Sequence, residues 1–139
     1  MALTTFSGPV RSLNGFIAGH QVATANAINT TGTATAAQVA SGYITSTSAG
    51  TVTITLPTGT LLGQALGAVR GTSLDLYIDN TAGASVVTVA VATNGILSSA
   101  AADTPGSFGD LTIAAGATGI GRFTIMFSSP TAYVFTRTA

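Results

Sequence analysis

The sequence predicts an all-β protein: an antiparallel β-sandwich, jelly-roll-like, with one short helix and an extended N-terminal arm. Three observations carry this expectation. Apolar and polar residues alternate over at least four segments rich in Val, Ile and Thr, which is the period of a half-buried strand. Turn formers separate those segments at short intervals, as they do in sandwiches and barrels. One segment alone carries apolar residues at helical spacing.

Residues 51–56 form the clearest strand. Val52, Ile54 and Leu56 alternate with Thr51, Thr53 and Thr55, and β-branched side chains suit a pleated surface. Pro57 ends the segment, because proline cannot donate to a ladder. In residues 72–79, Leu74, Leu76 and Ile78 point one way, and Ser73, Asp75, Tyr77 and Asp79 the other. Residues 80–83 (Asn80, Thr81, Ala82, Gly83) read as a turn. Residues 86–91 give the next strand, closed by Asn94-Gly95, a strong turn pair. In residues 121–128, Phe123, Ile125 and Phe127 share a face opposite Arg122, Thr124 and Met126. Ser129-Pro130 turns the chain into residues 133–136. Weaker strands are expected at 38–47, 96–98 and 111–114. Between Pro57 and Gly71, the residues Leu61, Leu62, Ala65, Leu66 and Val69 fall on a helical period, and Thr58 or Thr60 can cap the start. Gly63 and Gly67 weaken that helix by about 1 kcal/mol each relative to alanine. No internal repeat with a period of twenty to fifty residues stands out.

The first 32 residues differ in kind. Phe6, Leu13, Phe16 and Ile17 are isolated among turn formers, and no period holds. This reads as an extended arm (1–32) that docks its apolar side chains on something else, ahead of a sandwich domain (33–139).

Charge is the most unusual property of the chain. Of 139 residues, four are Arg, four are Asp, and the net charge is zero. A typical soluble domain has about a quarter of its residues charged. The simplest physical reading is a surface packed against copies of itself or against a larger assembly. Zero net charge gives nothing to attract nucleic acid or an anionic membrane. No stretch of about twenty apolar residues is present to span a bilayer, and the first residues show no secretory pattern. Cysteine is absent, which removes disulfides, thiolate metal sites and catalytic thiols.

A search for chemistry finds little. His20 is the only histidine and has no metal-ligating neighbour in sequence; a surface or interface side chain is the simpler reading. Asp75 and Asp79 lie on one strand face about 13 Å apart, too far to share a proton or flank a glycosidic bond. Residues 103–110, with Asp103 and Asp110, lack the spacing of a calcium loop. Residues 116–121 are glycine-rich, but precede a strand and carry no lysine, so they form a turn and not a phosphate loop. No acid, base and nucleophile can be assembled, so no enzyme, metal or cofactor is expected. Among the arginines, Arg11 stands inside the arm, where a planar donor fork can pin it to a partner.

Taken together, residues 51–57, the helical stretch, residues 71–81 and residues 86–89 resemble the small structural proteins of tailed-bacteriophage virions. Residues 121–125 and 133–135 fit the same style, so the resemblance covers about residues 45–139. The segment Gly8-Pro9-Val10-Arg11-Ser12 is similar to the starts of phage head proteins. The resemblance implies a capsid decoration, or cement, protein on the outer surface of the virion. Such proteins sit as homotrimers at three-fold and quasi-three-fold positions and tie neighbouring major capsid protein subunits together, often through a terminal arm. It brings no catalytic residues. Carried onto this chain, it makes Phe6, Pro9, Val10, Arg11, Leu13, Phe16 and Ile17 the expected capsid contacts. A tail-tube, neck or fibre module and a glycan-binding sandwich remain alternative readings.

Overall fold

The structure, a computed structural model, describes residues 26–97 and 111–138. Along them run β1 (Gly32–Thr33), α1 (Ala36–Ala40), β2 (Tyr43–Thr45), β3 (Val52–Thr55), α2 (Gly59–Leu66), β4 (Ser73–Asp79), β5 (Val87–Ala90), β6 (Gly95–Leu97), β7 (Thr112–Ile113), β8 (Ile120–Ser129) and β9 (Ala132–Arg137). The protein is mostly β, in two sheets with two helices. One sheet has four strands in the order β1-β3-β5-β7, the other five in the order β2-β4-β8-β9-β6.

The expected strand segments at 51–56, 72–79, 86–91 and 121–128 form β3, β4, β5 and β8, and the helical segment forms α2. Their alternation sorts them as read. Val52, Ile54, Leu74, Leu76, Ile78, Phe123, Ile125 and Phe127 are all buried. Side chains from both sheets join one apolar cluster, in which Phe123 stacks on Phe135 with ring centroids 4.8 Å apart.

Three expectations are corrected. The first is the antiparallel pairing. β1 with β3, β3 with β5, β2 with β4 and β6 with β9 are parallel, and β4–β8, β8–β9 and β5–β7 are antiparallel. The cause is a winding in which successive strands β1 to β5 alternate between the sheets. A strand in one sheet is followed by a crossing and a strand in the other, so the chain re-enters the first sheet in its original direction. Parallel neighbours need a crossover of about a dozen residues or more; α1 and β2, or α2 and β4, provide it. Turn formers such as Pro57 show that the chain turns, without showing into which sheet.

The second concerns residues 38–47, expected as a strand. They begin in α1, and only Tyr43–Thr45 is strand. A capping box starts the helix. Thr35 Oγ1 accepts from the Gln38 backbone N–H at 3.2 Å, and Gln38 Oε1 accepts from the Thr35 N–H at 2.8 Å. This satisfies two donors that a helix start leaves without partners.

The third is the internal repeat. Tyr43, Ile44 and Thr45 pair with Tyr77, Ile78 and Asp79, while Val52, Thr53, Ile54 and Thr55 pair with Val87, Thr88, Val89 and Ala90. Two strand-loop-strand units therefore stack, offset by 34 residues at the first strand and 35 at the second. Different connecting loops and only four identical paired positions hide the period in the sequence.

Residues 26–31 cover the open side of the stack. Ala27 bridges Thr45 in parallel, with Ile28 N–H donating to Thr45 O at 2.9 Å. Asn29 Oδ1 accepts from Thr47 N–H at 2.8 Å, and Thr31 Oγ1 from Thr53 N–H at 3.0 Å. Unpaired strand edges are templates for aggregation, and this segment occupies two of them. Residues 26–32, counted with the arm from sequence, thus share the hydrogen bonding of the body. Phe6, Pro9, Val10, Arg11, Leu13, Phe16 and Ile17 lie outside the described residues, as do His20, Asp103 and Asp110.

The α2 helix shows what its glycines do. Thr58 is the cap, its Oγ1 accepting from Leu61 N–H at 3.3 Å. The face that packs inward is Gly59, Leu62 and Gly63, whereas Leu61 is 55% exposed; Val69, expected on the helix, lies past its end and is 63% exposed. A Cβ at Gly63 would run into the backbone carbonyl of Pro130, and one at Gly59 into that of Thr131. The absence of side chains lets α2 lie against the turn between β8 and β9. Gly67 ends the helix at φ 59°, where glycine carries no steric penalty.

Candidate docking face

The outward positions of the five-stranded sheet bring together groups that are scarce in this chain. Register places Tyr43 of β2 beside Tyr77 of β4 and Tyr77 opposite Arg122 of β8. The next outward row joins Asp75 to Thr124 and Thr124 to Thr136; the row beyond joins Ser73 to Met126 and Met126 to Val134. At the other end, Thr45, Asp79 and Ile120 line up. Tyr43 and Tyr77 are 36% and 39% exposed, Ile120 53% and Met126 52%.

Each charged group on this face is held by a neighbour. Arg122 donates to Asp75 Oδ2 at 2.6 Å, and Thr124 Oγ1 donates to Asp75 Oδ1 at 2.9 Å. The same guanidinium lies 5.7 Å from the centre of the Tyr77 ring, within range of a cation–π contact. Asp79 Oδ1 accepts from the Thr81 backbone N–H at 2.9 Å and its hydroxyl at 2.6 Å. Its Oδ2 accepts from the Tyr43 hydroxyl at 2.6 Å. These bonds favour the ionised carboxylates. Arg122, then Thr124, hold Asp75 below the usual range; Thr81, then Tyr43, do the same for Asp79. The bond to Asp79 pushes the Tyr43 phenol up.

Such a face is preorganised. The two carboxylates and the guanidinium are held by neighbours, so the face presents aromatic rings, methyl groups and satisfied hydrogen bonds. Tyr, Arg and Met are enriched where proteins meet one another. The alternation placed Asp75, Tyr77 and Asp79 on one face, as found, and marked the arginines out by their scarcity, but it did not join Tyr43 and Arg122 to that face. The signal available was the pair Tyr-Ile, present at 43–44 and again at 77–78.

Among the described residues, the other two arginines serve locally. Arg70 Nε donates to Ser128 O at 3.1 Å. Arg137 donates to Thr112 O at 2.7 Å and lies 5.9 Å from the centre of the Phe123 ring. Among the described residues, no three of His, Cys, Asp and Glu come together, and no helix is long and apolar enough to cross a membrane. No family model, curated protein or solved structure matches the chain.

Proposed function

We propose that this chain is a structural virion protein that decorates and stabilises a phage capsid. It binds as a homotrimer at three-fold and quasi-three-fold positions and bridges major capsid protein subunits on the outer surface. In this reading the two sheets are the layers of a β-sandwich, and the winding, with four parallel pairings, departs from a jelly-roll-like order. The outer face of the five-stranded sheet docks on the shell or on a neighbouring copy, and Phe6, Pro9, Val10, Arg11, Leu13, Phe16 and Ile17 of the arm add a second contact. No reaction is assigned to the protein.

The observation that carries the proposal is the combination of scarce charge and internal pairing. A body with so few ionic groups, two of them paired and a third held by Thr81 and Tyr43, beside exposed tyrosine, isoleucine and methionine side chains, suits being covered. A clamp that binds only the assembled lattice stabilises it by mass action, and three copies joined together add their weak contacts through effective concentration. The test mixes purified protein with expanded shells that lack it. Expected are co-sedimentation at a stoichiometry in multiples of three and a raised temperature of shell disruption. A monomer that leaves the shells' heat resistance unchanged overturns the proposal. The exposed Tyr43 and Tyr77 also suit a glycan-binding face, which a glycan array tests. Six-fold symmetry or a low copy number per particle would favour the tail, neck or fibre role.

A further inference from the structure

We infer that one water molecule is held between Ser46 and Asn80 as an integral part of the folded protein, at the seam of the two stacked units. Ser46 follows Thr45 on β2, and Asn80 follows Asp79 on β4. Thr45 and Asp79 are register partners, and Ser46 N–H donates to Asp79 O at 2.8 Å. The parallel ladder therefore continues one step past the strand ends, and Ser46 and Asn80 occupy matching positions in the two units. Both lie inside, at 1% and 0% exposure.

Each carries a buried oxygen with no hydrogen-bond partner among the described residues: Ser46 Oγ and Asn80 Oδ1. The orientation of the Asn80 amide is not arbitrary. Nδ2 donates to Ser85 O and Ala114 O at 2.9 Å and lies 3.3 Å from Ile113 O. A flipped amide would set its oxygen against three carbonyl oxygens. Oδ1 is thus an acceptor turned away from that group and in need of a donor. The Ser46 hydroxyl can donate or accept, but it makes no hydrogen bond to Oδ1. A water donating to Asn80 Oδ1 and bonding the Ser46 hydroxyl satisfies both. Buried waters occur where otherwise unsatisfied polar groups converge. Oδ1 lies against Gly83, where a Cβ would run into it.

Two measurements on the full chain test this. A crystal structure at high resolution should show one ordered water within hydrogen-bonding distance of both Ser46 Oγ and Asn80 Oδ1. In solution, magnetisation transfer from water to amides around residues 46 and 80 should carry the sign of a long-lived bound molecule. Ser46→Ala should abolish that transfer. Should Ser46→Ala fail to fold, Ser46→Asn, whose longer amide reaches toward Oδ1 and displaces the water, should abolish it in a folded protein. A direct Ser46–Asn80 hydrogen bond with no water between overturns the inference. So does a donor from residues 1–25 or 98–110 filling the position, or transfer that survives both substitutions.

Discussion

Across the four-stranded sheet the outward side chains are Thr33, Thr53, Thr55, Thr88 and Thr112, with Ala90. Across the five-stranded sheet they include Tyr43, Asp75, Tyr77, Asp79, Ile120, Arg122 and Met126. The two surfaces cover one shared core, so the contrast is not imposed by folding. Threonine satisfies the pleated backbone and wets easily, and it asks nothing of a partner. On the other face, three of the chain's eight charged residues are fixed beside two tyrosines. Arg and aromatic anchors dominate binding energy when a partner desolvates them, whereas threonine is under-represented among such residues. One face is plain threonine, and the other carries the groups that the proposed docking role would use.

The comparison presumes one rigid body beneath both faces, and the largest expected effect comes from breaking that body. Phe123→Ala removes the ring stacked on Phe135 and should lower the unfolding free energy by about 4 kcal/mol in denaturant titrations. It should abolish the difference between the faces, because the register of β8 depends on its buried row. Loss of well under 1 kcal/mol would mean that the two sheets are not coupled through this cluster.

Alkali gives the next effect. Burial pushes the Tyr133 phenol up to about 12, and its hydroxyl donates to Pro57 O at 2.9 Å. The unfolded phenol titrates near its ordinary value of 10.0. Stability from the buried neutral phenol is therefore complete below pH 10 and declines as pH rises from 10 to 12, by about 2–3 kcal/mol. Tyr133→Phe should flatten that decline in thermal melts taken across the range.

Recognition itself comes third. Tyr77→Ala should weaken partner binding by about thirtyfold, the equivalent of a 2 kcal/mol anchor. Thr88→Ala should leave binding within about twofold. The smallest effect is acid sensitivity of the charged face. Asp75 and Asp79 titrate below the ordinary carboxylate value of 3.8 when folded. Their contribution is intact above pH 3.8 and fades as pH falls through the folded values, and because Asp75 is 40% exposed solvent screening keeps it slight. Melting temperature should hold steady from pH 7 to 5 and fall only below 4; Asp75→Asn should reduce that late fall.

Much of the fold was legible because alternation reports burial directly. Val52, Ile54, Leu74, Leu76 and Ile78 had to share a side, and they do. What alternation does not encode is strand direction. Pro57 ends a strand equally well before a hairpin and before a crossing to another sheet, so the parallel winding was hidden. Nor did spacing separate the two kinds of helix face in α2. Leu61 fits the period yet faces solvent, because Gly59 and Gly63 allow the closest approach and so define the inner side, and Val69 lies past the helix end at Gly67. The α1 helix was foreshadowed by Thr35 and Gln38, a capping pair overshadowed by the short length of the segment. The proposed docking face was the least legible part. Tyr43, Tyr77 and Arg122 are spread over 80 positions of sequence, and only the register of three strands brings them side by side.

The most direct test of the account is retention on the assembled shell, measured by sedimentation for four variants at once: Tyr43→Ala, Tyr77→Ala, Thr55→Ala and Thr88→Ala. The account predicts that the two tyrosine variants fold normally and lose at least tenfold in retention, while the two threonine variants stay bound as the unaltered protein does. Equal retention of all four, or loss confined to the threonine variants, would contradict it.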